Sequence, residues 1–317
     1  MDDKILQMLY DGEWVSGESI SKALGVTRAA VAKRINGLRS QGYSIEALPK
    51  RGYHISSAPK SLSAFEITRK LKYDKPWHIE TFDEIDSTNA YLRRRGDELP
   101  EYSVAIARCQ TAGRGRLERE WYSPPSGGLW MSVLLHPSLL PDRAQLITLT
   151  AAVSVAEAIR DQGQECYIKW PNDILSAERR KLVGIRCEMR ADMEAVYWLV
   201  AGIGVNVNNQ DFPPELKSVA ACLRQLNNGE PLDISALAAG ILDRLGENYD
   251  LLCADRFSII REKWLGMALA INELASISGL HGKETGIVRG LDEEGYLLLE
   301  QNGKLNRVLA GDMVISD

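Results

Sequence analysis

The order of elements in residues 3–56 limits the fold of this chain more than any other feature. Residues 3–10 place Ile5, Leu6 and Leu9 on one helical face, and Asp11-Gly12 ends the segment. Ser19 to Leu24 reads as a short helix and Gly25-Val26 as a tight turn, after which Thr27 caps a longer helix running to about Ser40. Gly42 stops that helix, and two extended runs, Tyr43 to Leu48 and Gly52 to Ser56, flank the turn Pro49-Lys50-Arg51-Gly52. Helix, short helix, turn, longer helix and hairpin is the order of a winged helix-turn-helix. The polar stretch Ser56-Ser57-Ala58-Pro59-Lys60-Ser61 then reads as a linker.

Charge is concentrated in the same segment. Between Thr27 and Tyr53 six basic residues (Arg28, Lys33, Arg34, Arg39, Lys50, Arg51) meet one acid, Glu46, for a local charge of +5 inside a chain whose net charge is −5. A basic island in an acidic protein points to a polyanion partner. Ser19, Thr27, Arg28, Lys33, Arg34, Lys50 and Arg51 are the candidate DNA contacts, the helix from Thr27 entering a major groove and Lys50-Arg51 reaching the backbone. So few cations per copy call for two copies on a palindromic site.

With 317 residues, 45% of them hydrophobic, the chain can bury a large core and divide into two or three domains. Met1 to Lys4 leads into an amphipathic pattern without the features of a secretory signal, and the most apolar helical run, Leu146 to Ala158, is too short to span a bilayer. A cytoplasmic protein with no membrane partner is expected. The cysteines, Cys109, Cys166, Cys187, Cys222 and Cys253, are scattered and without metal-ligand spacing, which predicts reduced, mostly buried thiols and leaves any metal site unknown.

From about 63 to 265 strands and helices mix. Strands are expected near 78–85, 102–109, 129–136, 166–170, 182–190 and 195–205, and helices near 87–95, 144–162 and 233–263. The adjacent late strands favour a mixed or antiparallel sheet over a doubly wound one. From about 269 the chain reads as short strands broken at Asp292-Glu293-Glu294-Gly295 and Asn302-Gly303, a small β-barrel.

The chemistry centres on Gln110-Thr111-Ala112-Gly113-Arg114-Gly115-Arg116. Its glycines let backbone N–H groups approach an anion, and its arginines add bidentate cationic donors, a combination suited to a carboxylate and a phosphate held together. Around it stand Ser87-Thr88-Asn89, Lys169-Trp170-Pro171-Asn172-Asp173, Lys181-Leu182-Val183-Gly184-Ile185 and Gly202-Ile203-Gly204-Val205-Asn206. Each has an ordinary reading alone: a helix cap at Ser87, a snorkelling lysine at 181, packing and a turn at Trp170-Pro171, close strand approach or a bulge at Gly202 and Gly204.

Taken in this order and spacing, four of these segments (STN, GRGR, KWPND and KLxGI) resemble the catalytic domain of biotin protein ligases. The resemblance extends to the long class that carries a winged helix and doubles as a biotin operon repressor. It implies an α+β chain: a winged helix-turn-helix over 1–57, a mixed-sheet catalytic domain like that of biotin and lipoate ligases over 63–267, and a small SH3-like barrel over 269–317. The implied reaction joins biotin to ATP as biotinyl-5′-AMP and passes biotin to a lysine of a biotin carboxyl carrier domain of a carboxylase. Mg²⁺ would assist, and a homodimer loaded with biotinyl-AMP would bind operator DNA.

By the same resemblance Ser87, Thr88, Asn89, Gln110, Arg114, Gly115, Arg116 and Lys181 hold biotin, and Arg114, Arg116, Trp121, Lys169, Asn172 and Asn206 hold the adenylate. Lys181, Arg116 and Asp173 are the implied catalytic groups, Lys181 pairing with the biotin carboxylate or acyl-phosphate oxygen and Asp173 lying near the incoming lysine or the metal.

The chain departs from the family in two places. Leu117-Glu118-Arg119-Glu120 replaces a second Arg-Gly-Arg, setting Glu118 where a glycine is usual, and Val219-Ala220-Ala221-Cys222-Leu223 lacks the aromatic residue that repressor-type relatives offer adenine. Two rival readings are a lipoate-type ligase and a ligand-sensing transcription factor without ligase activity. The second predicts a lost cation, yet Arg114, Arg116 and Lys181 are all present. An ATPase is excluded by the lack of a GxxxxGK[ST] loop.

Overall fold

The computed structural model describes residues 1–59, 62–125, 127–279 and 282–315, so Lys60 and Ser61 of the expected linker lie outside the described residues. The chain forms two compact units, Met1–Arg69 and Lys70–Asp317.

The first unit contains α1 (Asp2–Asp11), α2 (Gly17–Leu24), α3 (Arg28–Ser40), the hairpin β1 (Ser44–Leu48) and β2 (Gly52–Ser57), and α4 (Ala64–Lys70), which runs to the boundary. Ile5 and Leu9 on α1, Ile20 on α2, and Val31, Ile35 and Leu38 on α3, three or four residues apart where they share a helix, are fully buried and pack with the buried Ile45 and Ile55 of the hairpin. Truncating one such core isoleucine or leucine to alanine typically costs about 2–5 kcal/mol.

Thr27 caps α3 as expected, accepting from Ala30 N at 3.2 Å, and Gly25 ends α2 in the left-handed region (φ 64). The short helix starts two residues before Ser19, because the Ser16 hydroxyl accepts from Ser19 N and is the true cap. A third extended piece was not anticipated: Val15 pairs with Tyr53 through two 2.8 Å backbone hydrogen bonds. That pairing requires glycine at 52, where a Cβ would stand 2.2 Å from the Val15 carbonyl oxygen.

The second unit is built on a seven-stranded mixed sheet. Its strands are β3 (His78–Phe82), β4 (Ser103–Ala107), β5 (Gly128–Leu135), β6 (Tyr167–Lys169), β7 (Asp173–Leu175), β8 (Lys181–Ala191) and β9 (Val196–Asn206), in the order β3-β4-β5-β9-β8-β7-β6. Among the described strands of this sheet only β3 and β4 pair in parallel. The helices are α5 (Thr88–Arg94), α6 (Gln145–Asp161), α7 (Leu223–Leu226), α8 (Ile234–Cys253) and α9 (Phe257–Leu265). α6 is buried on almost every side because it lies between the sheet and α8.

Two sequence expectations need correction. The single helix expected over 233–263 is broken: Asp255 turns left-handed (φ 56), and Arg256 N closes back on the Leu251 carbonyl. The strand expected over 166–170 does form, as β6, and pairs with a strand that was not expected, β7, in a hairpin turning at Trp170-Pro171-Asn172 with a cis Trp170–Pro171 peptide. Of the thiols, Cys166 and Cys222 are buried, but Cys109 and Cys187 are partly accessible and Cys253 is exposed, fewer buried than expected.

The C-terminal strands are β10 (Leu274–Gly279), β11 (Gly282–Leu291), β12 (Leu297–Gln301), β13 (Lys304–Val308) and β14 (Asp312–Ile315). They pair antiparallel in the order β13-β12-β11-β10-β14, consistent with the small barrel expected here.

Candidate active site and ligand loop

A cavity of about 520 Å³ opens on one face of the large sheet. Its floor is made of the glycines of β8 and β9, which leave room for side chains laid flat upon them. A Cβ at Gly202 would stand 2.0 Å from Asn89 Oδ1, and one at Gly204 or Gly184 would stand 2.4 Å or 2.6 Å from the Trp121 ring. The expected close approach at Gly202 and Gly204 is therefore by side chains from outside the strand, and the β5–β9 register runs unbroken past both positions.

One end of the cavity is neutral and rich in hydrogen-bonding groups. Ser87 caps α5, as its ordinary reading held, accepting from Ala90 N at 3.4 Å. Gln110 Oε1 accepts from Thr88 N at 2.9 Å and Thr88 Oγ1 at 3.1 Å, while Gln110 Nε2 donates to Ser123. Asn89 is engaged on both sides of its amide: Nδ2 donates to Glu188 Oε2 at 2.9 Å, and Oδ1 lies 2.6 Å from the hydroxyl of the buried Ser132. The result is a pre-oriented set of amide and hydroxyl groups.

The middle of the cavity is cationic. Lys181 Nζ lies 2.7 Å from Asp173 Oδ1 and 5.2 Å from the centre of the Trp121 ring. The β7–β8 pairing juxtaposes these two residues, setting Asp173 opposite Gly184 and Leu175 opposite Lys181. Arg116 donates to Asn172 Oδ1 at 3.0 Å, and Asn172 is held in turn by its own bond to the Ile185 carbonyl at 2.7 Å. Asn206 is buried and donates to the Lys181 carbonyl, whereas Lys169 and Arg114 line the cavity without joining this cluster; the Arg114 guanidinium folds back on the Glu118 carbonyl at 3.3 Å.

The far wall is apolar, from Phe212, Leu216, Val219 and Ala220. Lys181 N donates to the Val219 carbonyl at 2.8 Å, bringing that segment to the site, and Phe212 and Trp121 supply the aromatic surface missing from residues 219–223.

The ligand loop runs from Gly113 to Trp121, closed at its base by Trp121 N donating to the Gly113 carbonyl at 3.0 Å. Leu117 (φ 53) and Glu118 (φ 56) both sit in the left-handed region, so the glycine usual at 118 is the residue this backbone favours. Glu118 is tied instead to Arg186 at 2.7 Å, and that guanidinium holds its carboxyl below the usual carboxylate range.

Sequence reasoning missed Arg186, Glu188 and Ser132. Arg186 donates to the Gly115 carbonyl at 2.6 Å and pairs with Glu188 at 3.2 Å, joining the loop to Asn89 through one carboxylate. The signal was available: Arg186 and Glu188 follow Gly184 at period two on β8, hence on the same face.

A mixed sheet with a glycine-floored cavity, neutral at one end, cationic in the middle and apolar beyond, defines a protein that binds an extended ligand carrying an anion between a polar head and a flat tail. Comparison with known proteins agrees. The biotin/lipoate A/B protein ligase family matches residues 81–206, an HTH domain matches 3–54, and a biotin protein ligase C-terminal domain matches 277–316. Bifunctional ligase/repressor BirA of Bacillus subtilis is 38% identical over 95% of this chain and 94% of its own length, and that of Escherichia coli 31% identical over 98% and 95%. Among solved structures, biotin protein ligase from Aquifex aeolicus in complex with biotin and ATP superposes with a TM-score of 0.67 at 29% identity, covering 75% of this chain and 98% of that one. The chain belongs to the bifunctional ligase/repressor BirA family.

Proposed function

We propose that this chain activates biotin with ATP and transfers it to a lysine of a biotin carboxyl carrier domain, and that biotinyl-AMP turns it into a DNA-binding repressor of biotin-synthesis genes. The observation that carries the reading is one cavity holding both a neutral amide and hydroxyl end and a triad of Lys181, Asp173 and Arg116. A ureido ring matches the first and a carboxylate beside a phosphate matches the second.

In the first step a biotin carboxylate oxygen bonds to the α-phosphorus and the bond to the β-phosphate bridging oxygen breaks, releasing pyrophosphate. In the second, the acceptor amine bonds to the acyl carbon, the acyl–phosphate bond breaks, AMP leaves and the amine sheds a proton. Neither step needs a nucleophile from the protein, so catalysis is positioning and charge stabilisation. Lys181, oriented by Asp173, faces the reacting anions, Arg116 and Arg114 cover the phosphate, and Ser87, Thr88, Asn89 and Gln110 set the ureido ring. Trp121, Lys169, Asn172 and Asn206 frame the adenylate.

Among the described residues there is no cluster of three or more His, Cys, Asp or Glu side chains that would hold a metal. Mg²⁺ fits in the manner usual for triphosphates, held by substrate oxygens and by no more than one or two carboxylates, with Asp173 the nearest candidate. When bound it neutralises phosphate charge.

We assign DNA binding to residues 1–57, catalysis to 63–267 and a supporting role to 269–317. A homodimer is the DNA-binding form, and the cytoplasm the place of action; no helix among the described residues is long and apolar enough to cross a membrane. Pyrophosphate exchange with biotin or lipoate, with mass spectrometry of the bound product, tests the enzyme. Biotinyl-AMP only with biotin is expected; exchange with lipoate alone, or with neither, would overturn the assignment. Footprinting on a biotin-synthesis promoter with and without biotin and ATP tests the repressor, for which ligand-dependent protection is expected.

A further inference from the structure

One carboxylate of the C-terminal sheet fastens the ligand loop. Asp312 Oδ1 lies 3.2 Å from Arg116 Nη1, and Asp312 Oδ2 lies 3.1 Å from Arg119 Nη2. Both terminal nitrogens of Arg116 also donate to the Gly311 carbonyl at 3.3 Å. These acceptors are rigidly placed: Asp312 opens β14 opposite Ser278 of β10, and a Cβ at Gly311 would stand 2.5 Å from Ile277 Cγ2, so the backbone there fits closely against its neighbour. Asp312 and Met313 reach the cavity lining itself.

The loop needs such a tie. Leu117 and Glu118 hold left-handed conformations that non-glycine residues adopt only when their surroundings enforce them. A single partly exposed ion pair contributes little. Two arginines sharing a carboxylate, with a fixed carbonyl on one of them, act as a small network and restrict the loop at two points.

We infer that Asp312 is a positioning residue for the ligand loop: it holds Arg116 and Arg119 over the cavity and thereby sets how long the acyl-adenylate is retained. Asp312 acts through the two arginines and not on the reacting atoms. The retention half rests on the function proposed above, whereas the tether rests on the contact geometry alone.

Asp312→Asn in the full chain removes the charge and keeps the side-chain shape. In the ligand-free protein, amide hydrogen exchange of residues 113–121 should speed up several-fold while that of β10 and β14 stays as in wild type. Biotinyl-AMP should then leave roughly tenfold faster, with KM for biotin rising more than kcat falls. Arg119→Ala, which leaves the C-terminal sheet untouched, should reproduce the faster exchange and add little on top of Asp312→Asn. Unchanged exchange in both variants overturns the tether whatever the ligand is. Faster exchange with unchanged or slower release overturns the retention half. A wild-type protein that makes no biotinyl-AMP defeats the proposed function, and the exchange result still decides on the tether.

Discussion

The winged helix and the cavity treat their cations in opposite ways. In the first unit Lys33, Lys50 and Arg51 are exposed and make no ion pair among the described residues, Arg51 resting 5.2 Å from the Trp14 ring centre. In the cavity Lys181, Arg116 and Arg186 expose a third of their side chains or less, and each has a carboxylate within 3.2 Å. Exposed, unpaired cations attract a polyanion over a distance and are screened by salt, while enclosed and oriented ones act at one point and resist screening. Under the function proposed above, the same residue types serve recognition in one place and chemistry in the other.

The sharpest way to break this comparison is Lys181→Ala. Removing an oriented charge from a shielded site should lower adenylation by roughly 10²-fold or more. The side chain is a third exposed, so the fold should survive, as circular dichroism can check. Near-normal pyrophosphate exchange would show that Lys181 is a structural partner of Asp173 and nothing more.

Lys50→Ala probes the opposite behaviour. Of the six basic residues between Thr27 and Tyr53, Arg34 is tied to Asp2 at 2.7 Å, Arg28 is paired with Glu18 and Arg39 is turned onto the Ile45 carbonyl, which leaves Lys33, Lys50 and Arg51 as the open cations of that set in each copy. For a dimer, about six phosphate contacts give a slope of log K against log salt of about −5, and losing Lys50 twice should make it shallower by roughly 2, to between about −3 and −4, with a roughly tenfold weaker operator complex. An unchanged slope would place the wing away from the phosphates.

Arg116→Ala should be milder than the lysine variant, because Arg116 also serves as the loop's anchor to Asn172 and Asp312. Adenylate still forms, but it should leave about tenfold faster in a chase with unlabelled biotin. An unchanged rate would mean that Arg119 and Arg186 hold the loop without it.

What could be read beforehand followed how local the cause was. The winged helix was legible because caps, turns and helical periodicity act within a few residues, and Thr27, Gly25 and the 49–52 turn each did so. The cavity's first ring was legible through motifs. Its supports were less so: Ser132 and Arg186 follow from strand alternation once the strands are known, but Asp312 meets Arg116 only through tertiary packing, positions 116 and 311 lying 195 apart in the sequence. The break in the helix expected at 233–263 was missed because Asp255 is an ordinary surface residue whose left-handed backbone no pattern announces.

The finest test is at Glu118, where the loop departs from its family. Glycine at this position would suit the left-handed backbone (φ 56) and remove a negative charge from beside the anion site. It would also free Arg186, which now gives one terminal nitrogen to this carboxylate. Those gains compete with the extra backbone freedom of a glycine. Because Arg186 keeps its bond to the Gly115 carbonyl and its pairing with Glu188, the loop remains anchored, so the charge should prevail. Glu118→Gly should therefore release biotinyl-AMP about two- to threefold more slowly, and Glu118→Gln, which removes the charge but keeps the unfavourable backbone, should fall between it and wild type. The carboxyl is held below the usual carboxylate range and stays ionised at neutral pH, so the difference should be constant over about pH 6 to 8. Faster release from the glycine variant would mean that Glu118, through Arg186, is itself a clasp that this chain substitutes for the missing Arg-Gly-Arg.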